Sequence, residues 1–155
     1  MSEGIFETIR VEDGQIFGLH RHHCRAKEAA AALGFEIPTE DHVRAATEEV
    51  ITKEDFPLAR LRLRFSRTGE LGIDYELYEE PLTPASLMVF DRRNPDFQLR
   101  FKEYPYKNYE ILEIAKSKGF DDAILVAPDD QVAETSMATL ALKIDGCWKI
   151  GRAHG

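Results

Sequence analysis

Ala59-Arg60-Leu61-Arg62-Leu63-Arg64-Phe65-Ser66 alternates without a break. Leu61, Leu63 and Phe65 fall on one side, and Arg60, Arg62 and Arg64 on the other. Successive strand side chains point to opposite faces, so this period of two predicts a strand with one apolar and one polar face. Arg67-Thr68-Gly69-Glu70 supplies a turn, and residues 71–78 the returning strand. Upstream, residues 5–11 are rich in Ile, Phe, Thr and Val. Asp13-Gly14 tolerates the positive φ of a tight hairpin, and residues 15–19 read as its second strand. Two helices lie between the hairpins. Residues 22–33 place Ala26, Ala29, Ala30 and Leu33 at helical spacing, and Gly34 stops them. Thr39 caps the next helix, whose buried face reads as Val43, Ala46 and Val50. Hairpin, two helices, hairpin predicts one antiparallel sheet with both helices on a single face.

A break follows at Pro81 to Pro84, then a strand at residues 86–90 and a loop at Arg92-Arg93-Asn94-Pro95. The predicted division is an N-terminal α+β domain, residues 1–92, and the start of a second α/β domain, residues 93–155. Residues 108–118 read as a helix that buries Ile111, Leu112 and Ala115 and ends at Gly119. Residues 123–127 read as a short strand buried on both faces, and residues 131–134 and 140–144 as its continuation into a sheet. The fold class is therefore α/β.

Composition narrows the function. Apolar residues make up 43% of the chain, enough for a core, and nine Phe, five Tyr and one Trp argue against disorder. The formal charge of −8, with no long Lys/Arg cluster, argues against nucleic-acid binding. No apolar stretch is long enough to span a bilayer. The acidic start, Met1-Ser2-Glu3-Gly4, does not read as a signal peptide. Cys24 and Cys147 lie far apart without a framework pattern, which predicts free thiols and a cytoplasmic location.

Three motifs carry chemistry. The first is Gly4-Ile5-Phe6-Glu7-Thr8-Ile9-Arg10 with Asp13-Gly14. The second is His22-His23-Cys24-Arg25 running into Ala29-Ala30 and Leu33-Gly34-Phe35. The third combines Tyr106-Lys107-Asn108-Tyr109, Asp121-Asp122-Ala123-Ile124-Leu125 and Ala133-Glu134-Thr135-Ser136. Their order over residues 4–148 resembles the class IV aminotransferases, the fold-type-IV enzymes that use pyridoxal 5'-phosphate. That family includes branched-chain and D-amino-acid aminotransferases and aminodeoxychorismate lyase.

The resemblance implies roles for matching residues. Lys107 would condense with the cofactor aldehyde, Glu134 would face the pyridine nitrogen, and Arg25 would hold the cofactor phosphate. Each residue type suits its task. Lysine supplies an amine with reach, a carboxylate stabilises a protonated ring nitrogen, and a guanidinium offers a fork to phosphate. Arg60, Arg62 and Arg64 read most simply as the wet face of a strand, or else Arg62 meets a substrate carboxylate. The implied substrates are small amino and keto acids or aminodeoxychorismate, and the implied assembly is a homodimer. Nothing separates transaminase from lyase at this level. A non-catalytic binding module that keeps the front half of the fold is the alternative.

His20, His23 and Cys24 could share a helix face at ligand-like spacing, but no second ligand pair follows, so no metal is expected. The chain departs from the family in having Thr139 near where an asparagine is usual. Family members also continue beyond Trp148 with a threonine-proline pair and a glycine turn that binds the phosphate. Residues 150–155 lack an apolar period and read like a translated sequencing-library adapter. The expectation is a truncated reading frame, inactive as it stands.

Overall fold

A computed structural model of the chain describes residues 3–91, 103–104, 108–126 and 132–150. The chain forms two compact units, residues 1–81 with 101–105, and residues 82–100 with 106–155.

In the first unit, β1 (Gly4–Glu12) turns through Asp13 and Gly14 into β2 (Gln15–Ile16). Helices α1 (Leu19–Ala32) and α2 (Glu40–Ile51) follow, then β3 (Leu58–Ser66) and β4 (Leu71–Leu77). The strands form one antiparallel sheet in the order β2-β1-β3-β4. The register runs from Gly4 opposite Ser66 to Glu12 opposite Leu58, and from Ala59 opposite Leu77 to Phe65 opposite Leu71. Ile5, Ile9, Val11, Ala59, Leu61, Leu63 and Phe65 share one face and form a single core with Leu19, Ala26, Ala29 and Ala30 of α1 and Val43 and Ile51 of α2. Both hairpins thus join one sheet, and both helices cover the same face, as the period-two strand requires. Burying a side chain such as Leu61 or Phe65 contributes about 1.5–3 kcal/mol.

Local boundaries depart from the sequence reading. The second strand of the first hairpin is two residues long rather than five, and α1 begins at Leu19, just after Gly18 with φ 69°. Leu19 explains the early start, because it inserts fully into the core. The buried face of α2 is Val43, Thr47 and Ile51, with Ala46 and Val50 only half-buried. Thr47 tolerates burial because its hydroxyl donates to the Val43 carbonyl at 2.6 Å. Thr39 caps α2 as expected, its side chain accepting from the His42 amide.

Gly4 begins β1 where the sheet allows no side chain. A Cβ there would stand 2.0 Å from the Phe65 carbonyl oxygen. Relief requires opening the β1–β3 pairing, so Gly4→Ala is expected to destabilise the unit by about 1–3 kcal/mol. A urea unfolding midpoint equal to that of the parent chain would contradict this.

The second unit begins with β5 (Leu87–Asp91). The sequence reading assigns this strand to the first domain, but it pairs in parallel with a later strand, β7 (Asp122–Val126), and so packs with the second unit. Between them come β6 (Glu103–Tyr104), which pairs back onto β1, and α3 (Asn108–Ser117). After β7 (Asp122–Val126) come β8 (Val132–Thr135), β9 (Ala141–Ile144) and β10 (Cys147–Ile150). The sheet order is β5-β7-β8, with β8 antiparallel to β7. Ile111 and Ala115 of α3 pack on Ala123 and Leu125 of β7, with Met88 and Phe90 alongside. Ile124 and Val126 point the other way and are half-buried, so β7 is deeply buried on one face rather than both. β9 and β10 form a separate exposed hairpin instead of continuing the sheet. Among the described residues no helix is long and apolar enough to cross a membrane.

Candidate functional site

Glu7 occupies the middle of β1 with the parity of Ile5 and Ile9, so it points into the helix-covered core and is only 3% exposed. An ionised carboxylate there is costly unless cations and hydrogen bonds meet it. Helix α1 supplies both. Arg25 Nε donates to Glu7 Oε1 at 2.7 Å, and Arg25 Nη2 donates to Oε2. His22, three residues earlier and so on the same helix face, brings Nδ1 within 2.8 Å of Oε2. Burial pushes the Glu7 carboxyl up, but the hydrogen bonds and charge of Arg25 and His22 outweigh it and hold the carboxyl below the usual range. The same contact raises the Arg25 guanidinium above its ordinary value.

The result is a guanidinium locked in orientation from one edge. Its side chain remains 55% exposed, and Nη1 makes no hydrogen bond among the described residues. A planar cation held by a buried carboxylate and open on its other edge can present a fork to an incoming anion. The donor set therefore fits a phosphate.

Arg62 lies on the face turned away from the helices, between Thr8 and Asp74 in register. Its guanidinium carbon sits 5.3 Å from the centre of the Phe6 ring. The neighbouring arginines are committed across the sheet: Arg60 to Glu76, and Arg64 Nη2 to Asp74 Oδ1 at 2.7 Å. The wet-face reading of these residues is incomplete, because all three are half-buried.

Glu134 is half-buried in β8, opposite Leu125 and bridged to Thr139. Its turn is stapled from both sides. Thr135 Oγ1 accepts from the Ala138 amide at 2.9 Å, and the buried Ser136 hydroxyl donates to Asp122 Oδ1. Asp121 Oδ2 accepts from the amide and hydroxyl of Ser86, each at 2.7 Å. Those bonds, the backbone amide first, hold the Asp121 carboxyl below its usual value. Asp121 and Asp122 are thus structural ties: Asp122 holds the turn after Glu134, and Asp121 holds the residue before β5. Lys107, immediately before α3, lies outside the described residues.

The histidines separate instead of gathering around a metal. His20 meets Glu40, His22 meets Glu7, and the buried His23 bonds the Pro38 carbonyl at 2.8 Å. Among the described residues no group of three or more His, Cys, Asp or Glu could hold an ion. The residue whose role sequence reasoning missed is Glu7. Its signal was available: a carboxylate at an inward position between Ile5 and Ile9.

A search of curated proteins finds no match. Solved structures share the fold. A candidate 4-amino-4-deoxychorismate lyase superposes with a TM-score of 0.81 at 23% identity, over 99% of this chain and 65% of its own. A hypothetical aminotransferase from Mycobacterium tuberculosis gives 0.76 at 24%, over 94% and 60%. A fold IV transaminase from Curtobacterium pusillum gives 0.75 at 22%, over 97% and 58%. The chain therefore spans less than two thirds of the length of these structures. The family model for amino-transferase class IV matches residues 4–151. Nearly the whole chain falls within that match, and the chain belongs to the class IV aminotransferase family.

Proposed function

We propose that these residues are the front part of a pyridoxal-phosphate enzyme, a transaminase or an aminodeoxychorismate lyase. The observation that carries the reading is the Arg25 fork, oriented by buried Glu7 and open on its outer edge. In support, the Mycobacterium tuberculosis relative has been solved in a PLP-bound form and in an α-ketoglutarate- and PMP-bound form. Pyridoxal phosphate, when bound, supplies an aldehyde for the substrate amine and a ring that withdraws electrons from the adjacent carbon.

The chain's own residues supply the rest. Arg25 binds the phosphate through the edge that Glu7 leaves open. Glu134 holds a proton on the pyridine nitrogen. Lys107 provides the amine that bonds to the cofactor and moves protons on the substrate carbon. Arg62 pairs with a substrate carboxylate, its guanidinium set over the Phe6 ring. This reading gives the cofactor three residues of the chain, Arg25, Lys107 and Glu134. It assigns the full-length protein a cytoplasmic location, consistent with two free cysteines, and a homodimeric state. Transaminase and lyase share these cofactor residues and differ in what the substrate pocket accepts.

The test is covalent labelling. The protein extended to the length of its structural relatives is incubated with pyridoxal phosphate, reduced with borohydride and mapped by peptide mass spectrometry. Lys107 is expected to carry the label in preference to Lys102, Lys116 and Lys118. Equal labelling of the four lysines would overturn the assignment and favour the binding-module alternative.

A further inference from the structure

Cys24 lies one helical turn after His20 on α1, away from the Glu7–Arg25 cluster, and its Sγ is 3.6 Å from His20 Nε2. On the other side of the ring, His20 Nδ1 lies 2.7 Å from Glu40 Oε2, at the start of α2. The second oxygen of Glu40 accepts from Arg44 Nη2 at 2.9 Å. The chain Cys24–His20–Glu40–Arg44 therefore joins two helices. Its order is nucleophile, base and orienting acid. We propose that Cys24 is a modification site, a base-assisted thiol that reacts with small electrophiles, and with hydroperoxides in particular.

The chemistry follows from the tautomer. In the tautomer with its proton on Nδ1, the ring donates a hydrogen bond to the Glu40 carboxylate and directs its Nε2 lone pair at the thiol. The hydrogen bond from His20, and after it that from Arg44, keep Glu40 below its usual pKa and hence ionised. Upon reaction with hydrogen peroxide, Sγ gives its proton to His20 Nε2 and attacks one oxygen. An S–O bond forms and the O–O bond breaks. The departing hydroxide takes the proton from Nε2 and leaves as water. Sulfur loses two electrons to the peroxide, and the product is a sulfenic acid. Both Cys24 and His20 are exposed, so small reagents reach them without any rearrangement.

The chain carries its own reference. Cys147, in β10, is also exposed, but its thiol makes no hydrogen bond among the described residues. A coincidental surface contact on α1 predicts equal reactivity for the two thiols; a base-assisted thiol does not.

The full chain is treated at neutral pH with limiting iodoacetamide, and separately with hydrogen peroxide followed by dimedone. Labelling of each cysteine is followed by mass spectrometry. Cys24 is expected to react about tenfold faster than Cys147, below the usual range of general-base assistance because the site is open to water. His20→Gln should bring Cys24 down to the Cys147 rate, and Glu40→Gln should give an intermediate rate. In urea the two thiols should become equal. Equal rates in the folded chain, or an unchanged Cys24 rate in His20→Gln, would overturn the proposal.

Discussion

Glu7→Ala is expected to destabilise the first unit by about 1–3 kcal/mol, and in the full-length protein to weaken phosphate binding about tenfold. The stability figure starts from the cost of removing one partner of a buried ion pair, roughly 3–5 kcal/mol. It is then reduced, because Arg25 is more than half exposed and can rehydrate. The affinity loss, about 1.4 kcal/mol, comes from freeing a guanidinium that Glu7 had held in one orientation. Glu7→Gln separates the causes, since the amide keeps one hydrogen bond to Arg25 and loses the charge.

The pH dependence has a definite sign. The folded carboxyl is held below its ordinary value of 4.5, so its stabilisation is fully present above that value and lost as pH falls through the folded pKa. The difference in urea midpoint between the parent chain and Glu7→Gln should therefore be large at neutral pH and shrink below about 4.5. Affinity for pyridoxal phosphate, measured by fluorescence titration, reads the second effect. A gap that persists undiminished at low pH would mean that packing, and not the ion pair, is the source.

Residues 1–155 alone are expected to show no transamination, whereas a chain extended to the length of its structural relatives turns over an amino donor and a keto-acid acceptor. A phosphate dianion held firmly enough for chemistry usually needs backbone amides from a helix N-terminus or glycine turn in addition to one arginine. Among the described residues after Glu134 the only glycine turn is Asp145-Gly146, in the β9–β10 hairpin. That hairpin carries Leu142, Ile144, Trp148 and Ile150 on open surface, with Trp148 67% exposed. A two-stranded hairpin is marginal by itself, and apolar surface of this kind fits a further layer of protein. A solvated lysine amine, with an ordinary pKa of about 10.4, stays protonated at neutral pH and does not attack an aldehyde. Burial in a completed domain lowers that value. Turnover is followed by keto-acid formation in the two chains side by side, and equal rates would show that the active site is complete within residues 1–155.

The α+β architecture of the first unit was legible in the sequence because its signals are local. The period of two in β3, the Asp13-Gly14 turn and the Thr39 cap each depend on neighbouring residues alone. So was the family, because ordered motifs survive without coordinates. Other features needed the folded chain. Glu7 reads as an unremarkable motif acid until β1 and α1 are packed together, which brings residues 15 and 18 positions away onto its two oxygens. Ser136 and Asp122, or His20 and Glu40, are likewise distant in sequence and joined only by topology. The face of α2 turned by one residue because a hydroxyl such as that of Thr47 can satisfy itself within a helix, which polarity alone does not reveal. Sequence by itself determined most of the elements, their order and the family, since these follow from backbone geometry, side-chain periodicity and ordered motifs. Only the tertiary structure decided which charges meet, because a buried ion pair is set by where two elements cross, and spacing along the chain does not encode that crossing.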